Sequence, residues 1–320
     1  MPLLDIQDLT AQFSTKAGIL TAVNHLSLKL EKGRVLGLVG ESGCGKTITA
    51  LSILNLVPPP GKIATGKIFF EGRDLLSLSE EELRSIRGAR IAMIFQEPMT
   101  ALNPVLTVGT QISEVLTTHT KSTRDEALHA SIELLRSVGI PSPEKRVHEY
   151  PHQLSGGMRQ RVIIAMAIAC KPSLVLADEP TTALDVTIQA HILELLGSIQ
   201  AEMGMAMILV THDLGLIAER AHEVAVMYAG RIVEQAETRE LFSDPRHPYT
   251  RGLMASVPRP GQERKKRLQT ITGSVPPLNN LPVGCAFKTR CDLKTAHCEQ
   301  EPELVEVKPG HWVRCWHIYA

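Results

Sequence analysis

The chain has 320 residues, 43% of them hydrophobic, and its Lys+Arg and Asp+Glu balance at 34 each. That is enough apolar material for a real core, at a length that suits two domains or one larger domain with appendages. The zero net charge gives no pull toward nucleic acid, and the longest apolar run, Val162–Cys170, is nine residues where a membrane-spanning helix needs roughly twenty.

The first ten residues, MPLLDIQDLT, lack the basic-then-apolar pattern of a secretory signal, so the chain reads as cytosolic. In chain order, residues 3–13 and 22–30 read as short strands, the second with apolar positions at Val23, Leu26, Leu28 and Leu30. GRVLGLVG (33–40) is a buried strand feeding a loop, and a helix is expected from Lys46 to about Leu56, stopped by Pro58–Pro60. GKIFFEGRDLL (66–76) reads as strand and turn. Ser79…Glu82 and Thr123…Glu126 are capping-box patterns opening a short and a longer helix. The longer one carries apolar residues at 128, 132, 135 and 138 on one face, with Gly139 placed to end it. SLVLADEP (173–180) and MAMILVTHD (205–213) are further buried strands, with a helix between them started by Asp185. Strands alternating with helices predict an α/β fold with a mostly parallel sheet covered on both faces. From about Ser256 the chain turns rich in Pro, Gly and charge, which reads as a linker to a small cysteine-bearing segment. No internal repeat is visible.

GESGCGKT, Gly40–Thr47, matches G-x-x-x-x-G-K-[ST] between a predicted strand and a predicted helix. Glycines let backbone N–H groups wrap phosphate oxygens, Lys46 brings a point charge to the outer phosphates, and the Thr47 hydroxyl can ligate Mg²⁺. Cys44 fills a free position of the motif, as an inert small residue or as an oxidisable thiol. In LVLADEP, Asp178 and Glu179 emerge at the C-terminal end of a strand, where ligands sit in open α/β sheets. Asp178 is expected to hold Mg²⁺ through water and Glu179 to act as general base on the attacking water.

LSGGMRQR, Leu154–Arg161, adds a second anion-binding helix start to a chain that already has its phosphate loop. Two such elements make sense if two copies of the fold face each other, each giving Ser-Gly-Gly to the other's ATP. On these residues the chain resembles ABC-type ATPases over residues 1 to about 235. The resemblance implies an ABC-type P-loop ATPase core with an antiparallel β subdomain and an inserted helical subdomain at about 97–160, within a nucleotide-binding domain at 1–255. It implies an ATP site of Phe13 (adenine stacking), Gly40, Glu41, Ser42, Gly43, Cys44, Gly45, Lys46, Thr47, Ile48, Gln96, Asp178, Glu179 and His212. Of these, Glu179, His212, Gln96 and Lys46 are the implied catalytic set, with Mg²⁺ held by Thr47, Gln96 and, via water, Asp178. Ser155, Gly156, Gly157 and Gln160 would face the partner's ATP, and Asp185 in TTALD would lie at the dimer interface.

The wording of residues 96–112, 150–161 and 246–260 is similar to dipeptide/oligopeptide importer ATPases of the D type. That implies an ATPase powering uptake of di- and oligopeptides, held at the cytoplasmic face of the cell membrane as a peripheral protein. Its implied partners are a second, F-type ATPase subunit, two transmembrane permease subunits and an extracytoplasmic substrate-binding protein, with no nucleic acid. The alternatives are an importer of nickel, glutathione or another solute, and an ABC ATPase acting on nucleic acid or in Fe–S assembly without a membrane partner.

Residues 256–320 would form the importers' C-terminal extension, a linker at 256–284 and a four-cysteine module at 285–320. Cys285, Cys291, Cys298 and Cys315 are spaced C-x5-C-x6-C-x16-C, without the C-x2-C pairs of zinc ribbons. Some D-type subunits carry a [4Fe–4S] cluster in this tail, which implies that ligand set here; zinc, free thiols and disulfides stay open. Arg290, Arg314 and His311 nearby either offset thiolate charge or face solvent, solvent being the expectation, and Cys170 is expected to be buried in the core.

Overall fold

The structure is a computed structural model that describes residues 1–16, 18–97, 101–182, 184–256 and 271–318. About half of the expected linker, 257–270, and Ala183 of TTALD lie outside the described residues. The chain forms strands β1 (Leu4–Thr15), β2 (Gly18–Leu30) and β3 (Val35–Val39), helix α1 (Lys46–Ile53), strands β4 (Gly61–Phe70) and β5 (Arg73–Asp74), helix α2 (Glu80–Ile86) and strand β6 (Ile91–Ile94). Helices α3 (Val108–His119), α4 (Arg124–Ser137), α5 (Pro143–Arg146) and α6 (Gly156–Ile168) follow, then β7 (Leu174–Asp178), α7 (Val186–Met203), β8 (Ala206–Thr211) and α8 (Leu214–Arg220). The remainder is β9 (Glu223–Tyr228), β10 (Arg231–Glu237), α9 (Thr238–Ser243), α10 (Pro248–Ala255), β11 (Val305–Lys308) and β12 (His311–Val313). Two compact units result: Met1–Glu31, Val35–Leu76 and Leu209–Ala320 in one, Lys32–Arg34 and Ser77–Ile208 in the other.

In the first unit, β1 lies between β2 and β4, antiparallel to both, and β5 pairs with the outer side of β4. These first strands are 12 and 13 residues long, not short. Register shifts between Ile6, Leu9 and Ala11 bend β1 and keep Leu4, Ile6, Leu9 and Ala11 buried along it. A second, mixed set of strands holds β3 parallel to β9, with β10 antiparallel to β9 and β12 antiparallel to β10. Every residue of β3 is buried, as its unbroken apolar run demands. The sheet is therefore less purely parallel than the alternation of elements suggests, because β9 to β12 add antiparallel neighbours. β12 reaches β10 through Glu234↔Val313 and Gln235↔Trp312, so the tail contributes a strand to this unit. Strands of four and three residues are too short for alternation to announce them.

In the second unit, β6 and β7 pair in parallel from Ile91↔Leu174 to Ile94↔Ala177. Helix α6 absorbs the longest apolar run of the sequence. Val162, Ile163, Ile164, Ala165, Ala167 and Ile168 are all buried there, which makes it a core helix. Among the described residues no helix is long and apolar enough to cross a membrane. Both expected capping boxes are formed, at Ser79 with Glu82 and at Thr123 with Glu126. The buried face of α4 is Ala127, Ser131 and Leu135, continued by Val138, whereas Leu128 and Ile132 are only half-buried. Small side chains win that face because Ser131 Oγ donates to Ala127 O and meets Ser113 Oγ of α3 at 3.0 Å. Helix α1 ends at Ile53, three residues short of the expected Leu56.

Candidate functional site

The phosphate loop runs from the end of β3 into α1, as its sequence requires. Gly45, the N-cap of α1, has φ +105°, and a Cβ there would sit 2.3 Å from Ala22 O, so only glycine serves. No side chain caps this helix start, which leaves its N–H groups for an anion. Lys46 is buried, and its ammonium donates to Gly40 O at 2.7 Å and Glu41 O at 3.1 Å, which folds the charge back over the loop. Ser42, Gly43 and Thr47 are exposed and Ile48 half-buried. Cys44 is fully buried; desolvation pushes its thiol up although the Lys46 charge opposes this, which fits the inert reading. Phe13 on β1 is half-buried against Gly61, where a Cβ would stand 2.5 Å from its ring.

The same unit holds His212, exposed just past β8. Asp213 next to it caps α8, accepting from Leu216 N at 3.2 Å and donating its own N–H to Thr211 Oγ1. A cavity of about 320 Å³ is lined by Gly40, Glu41, His212, Leu253, Ile271 and Arg290 among others.

The second unit carries the carboxylates. Asp178 ends β7 at 2% exposure. Glu179 follows with φ +44°, a left-handed conformation that costs a non-glycine residue about 1–3 kcal/mol and marks functional turns. Its Oε2 accepts from Gln96 Nε2 at 3.0 Å and from Thr182 Oγ1 at 2.9 Å. The glutamine and the glutamate singled out by sequence are thus direct partners. Asp185 caps α7, as expected, its Oδ1 accepting from Ile188 N at 2.9 Å. Ser155 is the N-cap of α6, its hydroxyl accepting from Met158 N at 3.3 Å. Ser155 and Gly156 are exposed, while Gly157 and Gln160 are buried.

The tail departs from expectation in its cations. Arg290 does not face solvent: its side chain is 3% exposed and forks onto Glu41. His311 is fully buried, 2.8 Å from the buried Glu234, which also accepts from the backbone N–H groups of Arg246 and His247. Arg314 is half-buried and donates to Ile232 O and Pro302 O. These groups serve long-range contacts that local sequence does not encode. Cys170 is likewise half-buried, not core.

All six cysteines are free thiols, so the disulfide alternative is not realised. Gly284, at φ +81°, brings the start of the cysteine segment so close that a Cβ would meet Cys298 O at 2.5 Å, and Cys285 N donates to that same oxygen at 3.0 Å. Burial pushes the Cys315 thiol up to about 11, and the charges of Cys285, Cys291 and Cys298 act on it in the same direction. Among the described residues no three His, Cys, Asp or Glu side chains are arranged to hold a metal ion.

Sequence reading missed Tyr249, whose hydroxyl accepts from Glu41 N at 2.9 Å, and Thr182 beside Glu179. Tyr249 lies within the importer-like stretch at 246–260, and Thr182 within TTALD, so both were in sight without an assigned task.

A phosphate loop between β3 and α1, in a mixed sheet with helices, defines a P-loop nucleotide-binding protein, and the class is that of the ATP-binding cassettes. Solved structures agree: an ATP-binding cassette caught as a dimer after hydrolysis with ADP and phosphate matches with a TM-score of 0.67 at 26% identity, covering 74% of this chain and 99% of that one. The ABC transporter family matches residues 23–182, and the oligopeptide/dipeptide transporter C-terminal region matches 233–298. The oligopeptide transport ATP-binding protein OppD of Bacillus subtilis is 50% identical over 99% of this chain and 89% of its own. The dipeptide transport ATP-binding protein DppD of Haemophilus influenzae is 50% identical over 95% and 92%. A probable peptide ABC transporter ATP-binding protein of Sinorhizobium fredii is 52% identical over 98% and 94%. The chain belongs to the ABC transporter ATP-binding proteins, and it is an ATPase of that family.

Proposed function

We propose that this chain is the ATP-hydrolysing subunit of an ABC importer for di- and oligopeptides. The observation that carries it is half-identity to peptide-transport ATPases along nearly the whole chain, including the C-terminal region that marks oligopeptide and dipeptide transporters. Residues 1–255 are the nucleotide-binding domain, with 97–160 its helical subdomain, and 256–320 the importer extension. The partners are a second cassette of the F type, two transmembrane permease subunits and an extracytoplasmic binding protein. They hold the chain as a peripheral protein on the cytoplasmic face of the membrane.

In this reading Gly40–Thr47 bind the phosphates through backbone N–H groups and Lys46, and Phe13 stacks on adenine. The donor set fits a hard cation: the Thr47 hydroxyl, the Gln96 amide oxygen and the buried Asp178 carboxylate, through water, would hold Mg²⁺. When bound, the metal neutralises phosphate charge. Glu179 takes a proton from the attacking water, oriented by Gln96 and Thr182, which already contact its carboxylate. His212 contacts the γ-phosphate. Ser155, Gly156 and Gly157 face the partner's ATP together with Gln160 one turn on, and Asp185 lies at the dimer seam. Closure of two cassettes on two ATP molecules drives the permease between its two openings. Lys46→Ala is expected to lose ATP binding. Glu179→Gln is expected to bind ATP and lose turnover by about a hundredfold or more, the range of general-base loss. Steady-state hydrolysis by the assembled transporter reads both, and unchanged turnover in Glu179→Gln would falsify the base assignment.

The proposal extends to the tail. Its four cysteines are of the residue type that ligates a [4Fe–4S] cluster, and Cys285, Cys291, Cys298 and Cys315 would hold it, with zinc the second choice, although their side chains are not arranged around a metal ion here. Its contribution there is a cross-link for a short segment. Anaerobically purified protein is expected to carry about four irons and four sulfides per chain. One zinc and no iron would transfer the four cysteines to a structural zinc site, and no metal would remove the cluster from the reading.

A further inference from the structure

Glu41 is the second residue of the phosphate loop, and it places a carboxylate in a loop built to receive a triphosphate. Like charges a few ångströms apart repel, most strongly where solvent is thin. The structure shows what stands against that repulsion. Arg290 Nη1 donates to Glu41 Oε2 at 2.6 Å and Nη2 to Oε1 at 3.0 Å, a two-pronged pair with the guanidinium almost sealed from water. That guanidinium is fixed from every side. Its Nε donates to Thr272 O at 3.1 Å and Nη2 to Gly273 O at 3.2 Å. It also lies 5.8 Å from the ring centroid of Tyr228 and 5.9 Å from that of Phe287. Tyr228, Tyr249 and Phe287 pack on one another at 4.8–5.4 Å, and the Tyr249 hydroxyl accepts the Glu41 N–H. Side chain and backbone of one loop residue are thus both held by the C-terminal part of the chain.

We propose that Arg290 is a positioning residue for ATP: it neutralises Glu41 and so lets the phosphate loop accept the triphosphate. The inference rests on the nucleotide reading of Gly40–Thr47. It makes ATP affinity depend on a residue next to Cys291, so whatever orders the cysteine segment also orders the pair.

A clamp and a neutraliser predict opposite results in one experiment. MgATP affinity of the full chain is measured for wild type, Arg290→Ala, Arg290→Lys and the double variant Arg290→Ala/Glu41→Gln, with thermal melts alongside. Arg290→Ala leaves the Glu41 charge bare and is expected to weaken ATP binding about tenfold, or about 1.4 kcal/mol. Adding Glu41→Gln removes that charge and is expected to recover most of the loss. Arg290→Lys, a point charge without the fork, falls between. The tenfold gap shrinks as salt rises. Wild-type affinity in Arg290→Ala overturns the proposal, and so does a double variant as weak as Arg290→Ala, the signature of a purely structural tie. Should Arg290→Ala not fold, Arg290→Lys with and without Glu41→Gln gives the same contrast. Lys46→Ala binding ATP as well as wild type would sink the nucleotide reading itself, and is told apart by leaving the Arg290 variants without a site to act on.

Discussion

The phosphate loop and the cysteine tail are both glycine-punctuated segments of one compact unit, yet Gly43 in one and Gly284 in the other answer opposite constraints. Gly43 in the loop has φ +78° and nothing within 4 Å of where a Cβ would stand, so its backbone turns into open space. Gly284 in the tail has φ +81° and would drive a Cβ to 2.5 Å from the backbone of Cys298 and Glu299. The dihedral is the same and the surroundings are not. Glycine at 43 leaves room for a ligand; glycine at 284 lets two pieces of chain touch, as Gly45 does against Ala22.

Three substitutions or conditions sharpen that contrast. The largest effect on stability is expected from Gly284→Ala, where backbone must move against backbone. A loss of about 4 kcal/mol or more belongs to such a clash, and denaturant unfolding of the full chain reads it. The next is acid. His247 is buried and held neutral, its pKa pulled down from 6.5 to about 4 mainly by desolvation, with the Glu234 charge opposing and Arg251 reinforcing. Its Nδ1 accepts from Tyr249 N at 3.0 Å and caps α10. The unfolded chain takes the proton first, so this stability is complete above about pH 6.5 and falls as pH drops toward 4, by roughly 3 kcal/mol in all. Melting temperatures at pH 7 and 5 are expected to separate less in His247→Asn than in wild type. The smallest stability effect is expected from Gly43→Ala, about 1 kcal/mol for a left-handed alanine in open space. The same variant is expected to bind MgATP more weakly, which an affinity titration checks. Equal losses of stability at Gly43 and Gly284 would erase the comparison.

The contrast also explains what was legible in the sequence. The phosphate loop, the carboxylates after β7, the capping boxes at Ser79 and Thr123 and the cap at Asp185 are all short-range. Each depends on residues a few positions apart, so spacing alone announces it. The contact of Gln96 with Glu179 spans 83 residues, and no spacing or periodicity predicts it. Arg290 differs from expectation because the carboxylate it pairs with is 249 positions away, beyond the reach of local sequence. The face of α4 failed for a different reason. Hydrophobicity pointed to Leu128 and Ile132, but close approach of α3 favoured the smaller Ala127 and Ser131. The tail's strands escaped because three or four residues cannot display a period.

The seating of β12 beside β10 carries a practical corollary. β10 has β9 on one side, and on the other it is covered through Glu234↔Val313 and Gln235↔Trp312. A proteolytic nick or a stop codon ahead of Val305 would strip that cover and leave β10 with a row of unsatisfied N–H and C=O groups facing outward. Open rims of this kind recruit other chains, so truncation here would be felt first as precipitation, before any deficit in catalysis.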